Sequence, residues 1–80
     1  MIEALDEGGR VSERETTVTE NISRRGAAVF TSLDLAHGRY VRMTSVQYQI
    51  SVIAAVRARR TGENGIPRLH LEFVDKQWPL

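Results

Sequence analysis

Between Tyr48 and Ala58 the chain alternates in a period of two. Tyr48, Ile50, Val52, Ala54, Val56 and Ala58 fall on one side, and Gln49, Ser51, Ile53, Ala55 and Arg57 on the other. That period predicts a long strand with one face on a core. Leu69, Leu71 and Phe73 alternate with His70 and Glu72, which predicts a partner strand. Between them Thr61-Gly62-Glu63-Asn64-Gly65 is rich in turn formers, so the two strands form a hairpin. Upstream, Thr16 to Ile22 is rich in β-branched residues and reads as a strand, Ala27 to Thr31 is a short apolar run entered through Gly26, and Tyr40 to Met43 is extended. Ile2 to Leu5 followed by Asp6-Glu7-Gly8-Gly9 is a strand end and hairpin turn leading toward Thr16. Ser32 to Gly38 reads as a connection, with one helical turn near 33–37. Asp75 to Leu80 leave the last strand, and Trp78 is expected to close one end of the fold as a core residue.

Five or six short strands without a long helix predict an all-β domain, a small antiparallel barrel spanning residues 1–80. Closure into a barrel also hides the strand edges that so small a chain would otherwise expose. Eighty residues allow one domain with a modest core. The apolar fraction of 41% and charged fraction of 26% are those of an ordinary globular chain. There is no Cys, which excludes disulfides and thiolate metal sites. No apolar stretch is long enough for a membrane span, and the acidic start, Met1 to Glu7, is not a signal peptide, so no membrane partner and a cytoplasmic setting are expected.

The net charge of +1 conceals an uneven distribution. Acidic residues dominate the first fifteen positions, whereas Arg24, Arg25, Arg39, Arg42, Arg57, Arg59 and Arg60 populate the middle, and Lys76 is the only lysine. Arginine offers a planar fork suited to phosphates and purine edges. Most of these arginines read as solvated strand faces. DNA or RNA binding would require a larger positive excess and more aromatic platforms, so neither is expected.

Catalysis has little support. His37 and His70 are isolated, one in a loop and one on the outer face of a strand, and no metal-ligand spacing involves them. Ser23 and Ser45 have no adjacent base, and no phosphate-binding loop or dinucleotide fingerprint occurs. The chain is therefore read as a non-enzyme with no cofactor and no metal.

What remains is Asn21-Ile22-Ser23-Arg24-Arg25-Gly26 at a strand-to-strand transition. Asn and Ser can hold a tight turn through local hydrogen bonds, while Gly admits positive φ. The same turn can also present an amide, a hydroxyl and free N–H groups to phosphate or to a guanine edge, with Arg24 and Arg25 adding charge. The spacing alone does not separate these two uses.

The stretch Glu15 to Val29 resembles the second strand and signature turn of PilZ domains. That turn follows a pattern of Asp or Asn, any residue, Ser, two residues and Gly, matched here at Asn21, Ser23 and Gly26. Further features agree in order: Leu35 to Val41 with Gly38 before a strand, a long strand ending in Val56-Arg57, then Leu69 to Val74. The resemblance implies a six-stranded β-barrel that binds cyclic di-GMP, a bacterial second messenger, as a signalling module. It carries over Asn21, Ser23, Arg24, Arg25 and Gly26 as the ligand-binding residues. The partners it implies are cyclic di-GMP and a downstream protein or neighbouring domain. The family's other motif, two arginines separated by three residues before the first strand, has its spacing at Arg10-Val11-Ser12-Glu13-Arg14. Only six residues separate Arg14 from Asn21, too few for the strand and hairpin that lie between the family's two motifs. On this register the arginine loop falls upstream of Met1, and Arg10 and Arg14 are secondary candidates read as a coincidence of spacing. The competing reading is a degenerate PilZ-like barrel that binds protein without nucleotide.

Overall fold

A computed structural model describes residues 1–79; Leu80, read above as part of the exit from the last strand, lies outside the described residues. Among those residues every regular element is a strand: β1 (Ile2–Leu5), β2 (Val11–Glu15), β3 (Thr19–Ile22), β4 (Gly26–Phe30), β5 (Tyr40–Ser45), β6 (Ile50–Thr61) and β7 (Pro67–Phe73). They form one antiparallel sheet in the order β2-β1-β5-β6-β7-β4-β3.

Its two outermost strands, β2 and β3, are consecutive in the chain and joined by Thr16–Val18 alone. Laid flat, seven strands would separate the edges by roughly 29 Å at about 4.8 Å per spacing. The link from Glu15 to Thr19 reaches at most roughly 14 Å. The sheet must therefore curl until its edges meet, which gives the barrel-like form. Among the described residues no ladder joins β2 to β3; the Phe30 N–H donates to the Val18 carbonyl at 3.3 Å, continuing the β3–β4 pairing into the bend, and the Thr17 hydroxyl donates to the Phe30 carbonyl.

This is where the expected strand count changes. Thr16 to Ile22 is not one strand, because Thr16–Val18 is the bend between β2 and β3, and Val11–Glu15 is an additional strand. The 33–37 segment forms no helical turn. Its backbone runs irregularly across the sheet end while Leu35 is buried and Leu33 packs against the core. Gly38, at φ 89°, then redirects the chain into β5, with its N–H on the Val56 carbonyl at 2.8 Å.

The inward faces alternate as the pattern requires. Ile2, Ala4, Val41, Met43, Val52, Ala54, Val56, Leu69, Leu71, Ala27 and Val29 form one core. The β6–β7 hairpin forms as expected, turning at Gly62–Ile66, with Gly65 at φ 76°. Two details of β6 differ. Tyr48 lies outside the strand in an exposed turn, and the register slips between Val56 and Ala58. The bulged Arg57 shifts Ala58 to the outer face, opposite His70. Trp78 is buried at the barrel end, 5.9 Å from Phe73 and 6.0 Å edge-on from Tyr48 between ring centroids.

Two carboxylates secure the β2 edge. Glu3 on β1 lies opposite Arg14 on β2 and Arg42 on β5. It is only 6% exposed, accepts a hydrogen bond from Arg42 Nε at 2.8 Å, and faces Arg14 Nη2 at 3.6 Å. The Arg42 hydrogen bond holds the Glu3 carboxyl below its ordinary value against the opposing effect of burial. Glu15, at the end of β2, reaches across to the loop after β4 and accepts the Ser32 hydroxyl at 2.9 Å and its N–H at 3.3 Å. Burial pushes the Glu15 carboxyl up, but hydrogen bonds from Thr31 and Ser32 outweigh it and leave the group lowered.

Both carboxyls are depressed in the folded state, so their contribution is complete above the unfolded value of 4.5 and is lost as pH falls through the folded values. Urea unfolding followed against pH should show stability flat from neutrality to about pH 5 and declining below the ordinary carboxylate value. Glu3→Gln should be less stable at pH 7 and lose less on acidification; a variant with the wild-type acid slope would contradict this assignment.

Candidate functional site

The hexamer singled out in the sequence is the β3–β4 hairpin, and the fold assigns each of its residues a distinct task. Ser23 and Gly26 bracket the turn. The Ser23 N–H donates to the Gly26 carbonyl at 2.8 Å, and Ser23 Oγ accepts the N–H groups of Gly26 at 3.2 Å and Arg25 at 3.4 Å. Those amides are therefore held by the serine, which corrects the expectation that the turn offers them freely to a ligand.

Gly26 is restricted for a different reason from the one the turn pattern implies. It is not among the glycines with positive φ. A Cβ there would lie 2.3 Å from the Leu71 carbonyl oxygen, because β4 and β7 approach closely where Gly26 pairs with Glu72. The requirement is steric, across the sheet rather than along the turn.

The carbonyls of Arg24 and Arg25 point back to the protein. Arg25 accepts the Phe73 N–H at 2.7 Å, and Arg24 accepts the Trp78 N–H at 2.8 Å. The turn is thus stapled to the end of β7 and to the segment that follows it. Its side chains are left to solvent: Asn21, Arg24 and Arg25 are exposed. Among the described residues the Asn21 amide makes no hydrogen bond, and neither guanidinium forms an ion pair.

Register extends the site beyond the hexamer. Asn21 lies opposite Ala28, Ala28 opposite His70, and His70 opposite Ala58, giving one row on the outer face across β3, β4, β7 and β6. Within this row Ala28, which is buried, separates Asn21 from His70, and Ala58 ends the row beyond His70. It is flanked by Phe30 with Arg68, whose guanidinium carbon lies 5.1 Å from the ring centroid and whose Nη1 pairs with Glu20. On the other side Arg57 Nε donates to Glu72 at 2.7 Å. Sequence reading placed His70 on the outer face correctly but did not connect it to Asn21. The link runs through strand pairing, and the Arg57 bulge that brings Ala58 into the row has no signature in the sequence.

Arg10 and Arg14 serve the β1–β2 hairpin, at the other end of the strand order. Arg10 closes its turn, with its N–H on Asp6 Oδ1 at 2.9 Å, and Arg14 faces Glu3. Among the described residues no group of three or more His, Cys, Asp or Glu is arranged to hold a metal ion. No helix among them is long and apolar enough to cross a membrane.

A family model described as PilZ domain matches residues 2–77. No curated protein and no solved structure matches the chain.

Gly26→Ala should destabilise the fold by about 1–3 kcal/mol through overpacking against Leu71, measured by urea unfolding. Gly8→Ala, whose added Cβ meets only Asp6 Oδ1 at 3.5 Å, is the control and should unfold near the wild-type midpoint. Equal stability of the two variants would remove the steric account of Gly26.

Proposed function

Because the chain belongs to the PilZ family, a family of ligand-binding regulatory modules, we propose that it binds cyclic di-GMP across the Asn21–Gly26 turn and the adjoining outer row. The observation that carries this reading is the division of roles within the turn. Its backbone is held by Ser23, Phe73 and Trp78, while the side chains of Asn21, Arg24 and Arg25 are exposed and, among the described residues, unpaired. Exposed polar side chains are ordinary on a solvated hairpin, but on a braced backbone they also suit binding, because little backbone ordering is left to do on association.

In this reading the Asn21 amide, with both donor and acceptor, hydrogen-bonds a guanine edge. Arg24 or Arg25 neutralises phosphate through charge-assisted bonds. Ser23 and Gly26 shape the turn rather than supply the main contacts. His70 lies farther along the same row, beyond the buried Ala28. Binding would alter the contacts this face makes with a neighbouring domain or a separate protein.

Calorimetric titration with cyclic di-GMP, on this chain and in its native protein context, tests the proposal. Asn21→Ala should weaken binding about tenfold, the equivalent of one hydrogen bond worth about 1.4 kcal/mol. Replacing Arg24 and Arg25 together should cost more and flatten the salt dependence, since both act on phosphate charge. Arg10→Ala should leave affinity unchanged. Absence of saturable binding at high micromolar ligand in both contexts would sink the reading and leave the protein-interaction barrel in its place.

A further inference from the structure

A second concave region lies at the barrel end and shares none of the residues of the signature turn except the flanking Ile22. It is a cavity of about 470 Å³, framed by the β2–β3 bend, the turn between β5 and β6, and Trp78. That volume falls within the roughly 300–1,000 Å³ of small-molecule sites. Four of the chain's exposed large apolar residues converge on its rim: Met1, Val18 (68% exposed), Val46 (83%) and Tyr48 (57%). Large apolar side chains gathered at one mouth mark a binding surface more often than chance exposure does.

The chemistry of the lining selects the occupant. No side chain that lines the cavity is charged. The α-ammonium of Met1, at the rim, already donates to the Thr44 carbonyl at 2.9 Å. An ionised head group would be desolvated there without a dedicated partner. Neutral hydrogen-bonding groups are present, however. Among the described residues the side chains of Thr19 and Gln47 make no hydrogen bond, in contrast to Thr17, Thr44 and Ser45, which are engaged within the protein. Independently, among the described residues the indole N–H of Trp78 is buried without an acceptor, and Trp78 lines the same cavity. A buried donor with no acceptor is rare in a folded chain and is relieved by a ligand oxygen.

We propose that the barrel end framed by Val18, Val46, Tyr48 and Trp78 binds a neutral amphiphile: a medium-length apolar chain ending in an uncharged hydrogen-bonding group such as an alcohol or amide. The apolar chain covers Ile22, Val29 and Met43 at the floor, and the neutral end meets Thr19, Gln47 or the Trp78 N–H. This site stands independently of nucleotide binding at the turn.

Trp78 is the sole tryptophan, so its emission reports directly on occupancy. The intact chain is titrated with 1-octanol and, separately, with octanoate at pH 8. Octanol should change Trp78 emission saturably, and octanoate should bind roughly tenfold more weakly or not at all. Val18→Asp and Val46→Asp, both at exposed positions, should each weaken octanol binding by roughly tenfold while leaving the thermal midpoint near wild type. Cyclic di-GMP should neither compete nor be required, so failure at one site is distinguishable from failure at the other. Emission that is unchanged or does not saturate, octanoate binding as well as octanol, or aspartate variants that bind like wild type would each overturn the proposal.

Discussion

The structure depends on one covalent constraint. Three residues, Thr16–Val18, join the first and last strands of a seven-stranded sheet. A link so short cannot cross a flat sheet, so curvature is imposed by connectivity before any side chain packs. Once the sheet curls, inward positions converge on a single core and the β1–β2 hairpin comes beside the β3–β4 hairpin, with no ladder between β2 and β3 among the described residues. The β2 edge carries Ser12, Glu13, Arg14 and Glu15, a charged run that resists pairing with another chain. Trp78 occupies one end, held through its N–H by the carbonyl of Arg24.

That last bond ties the closure of the barrel to the signature turn. The C-terminal segment contacts the turn twice, through Phe73 and Trp78, and both contacts use backbone atoms. Ser23 engages the Arg25 and Gly26 amides inside the turn, and Gly26 lets β7 approach. Each of these interactions fixes the turn from within or below, and none occupies its outward side chains. Rigidity and availability are thus supplied by different atoms of the same six residues, which is the arrangement a preorganised binding site requires. The outer row from Asn21 to Ala58 continues that face over four strands.

Much of this was legible in the sequence. The β6–β7 hairpin was written in alternation and turn residues, and the burial of Val52, Ala54, Val56, Leu69 and Leu71 follows it. The first hairpin was readable from Asp6 to Gly9, and Asn21, Ser23 and Gly26 stood out by spacing. What escaped has a common physical origin. Val11-Ser12-Glu13-Arg14-Glu15 has one apolar residue, because an edge strand need not bury a face, so periodicity could not reveal it. The bend at Thr16–Val18 is made of strand-forming residues, and only the sheet order shows that the chain must leave one edge for the other there. Ala58 changed face through a bulge that alternation cannot signal. Gly26 was expected to matter for its dihedral freedom, whereas its constraint is the Leu71 carbonyl, a contact across more than forty residues of sequence. The same holds for Arg14, whose partner Glu3 is set by strand register.

The central claim is that the braced turn and its outer row form the ligand surface. Amide chemical-shift mapping on the intact chain with cyclic di-GMP tests this most directly. The account predicts the largest shifts at Asn21 to Gly26, with further shifts at Ala28 and His70, and little change at Arg10 and Arg14. A spectrum unmoved by saturating ligand, or one whose shifts centre on the β1–β2 hairpin and spare the Asn21–Gly26 turn, would contradict it.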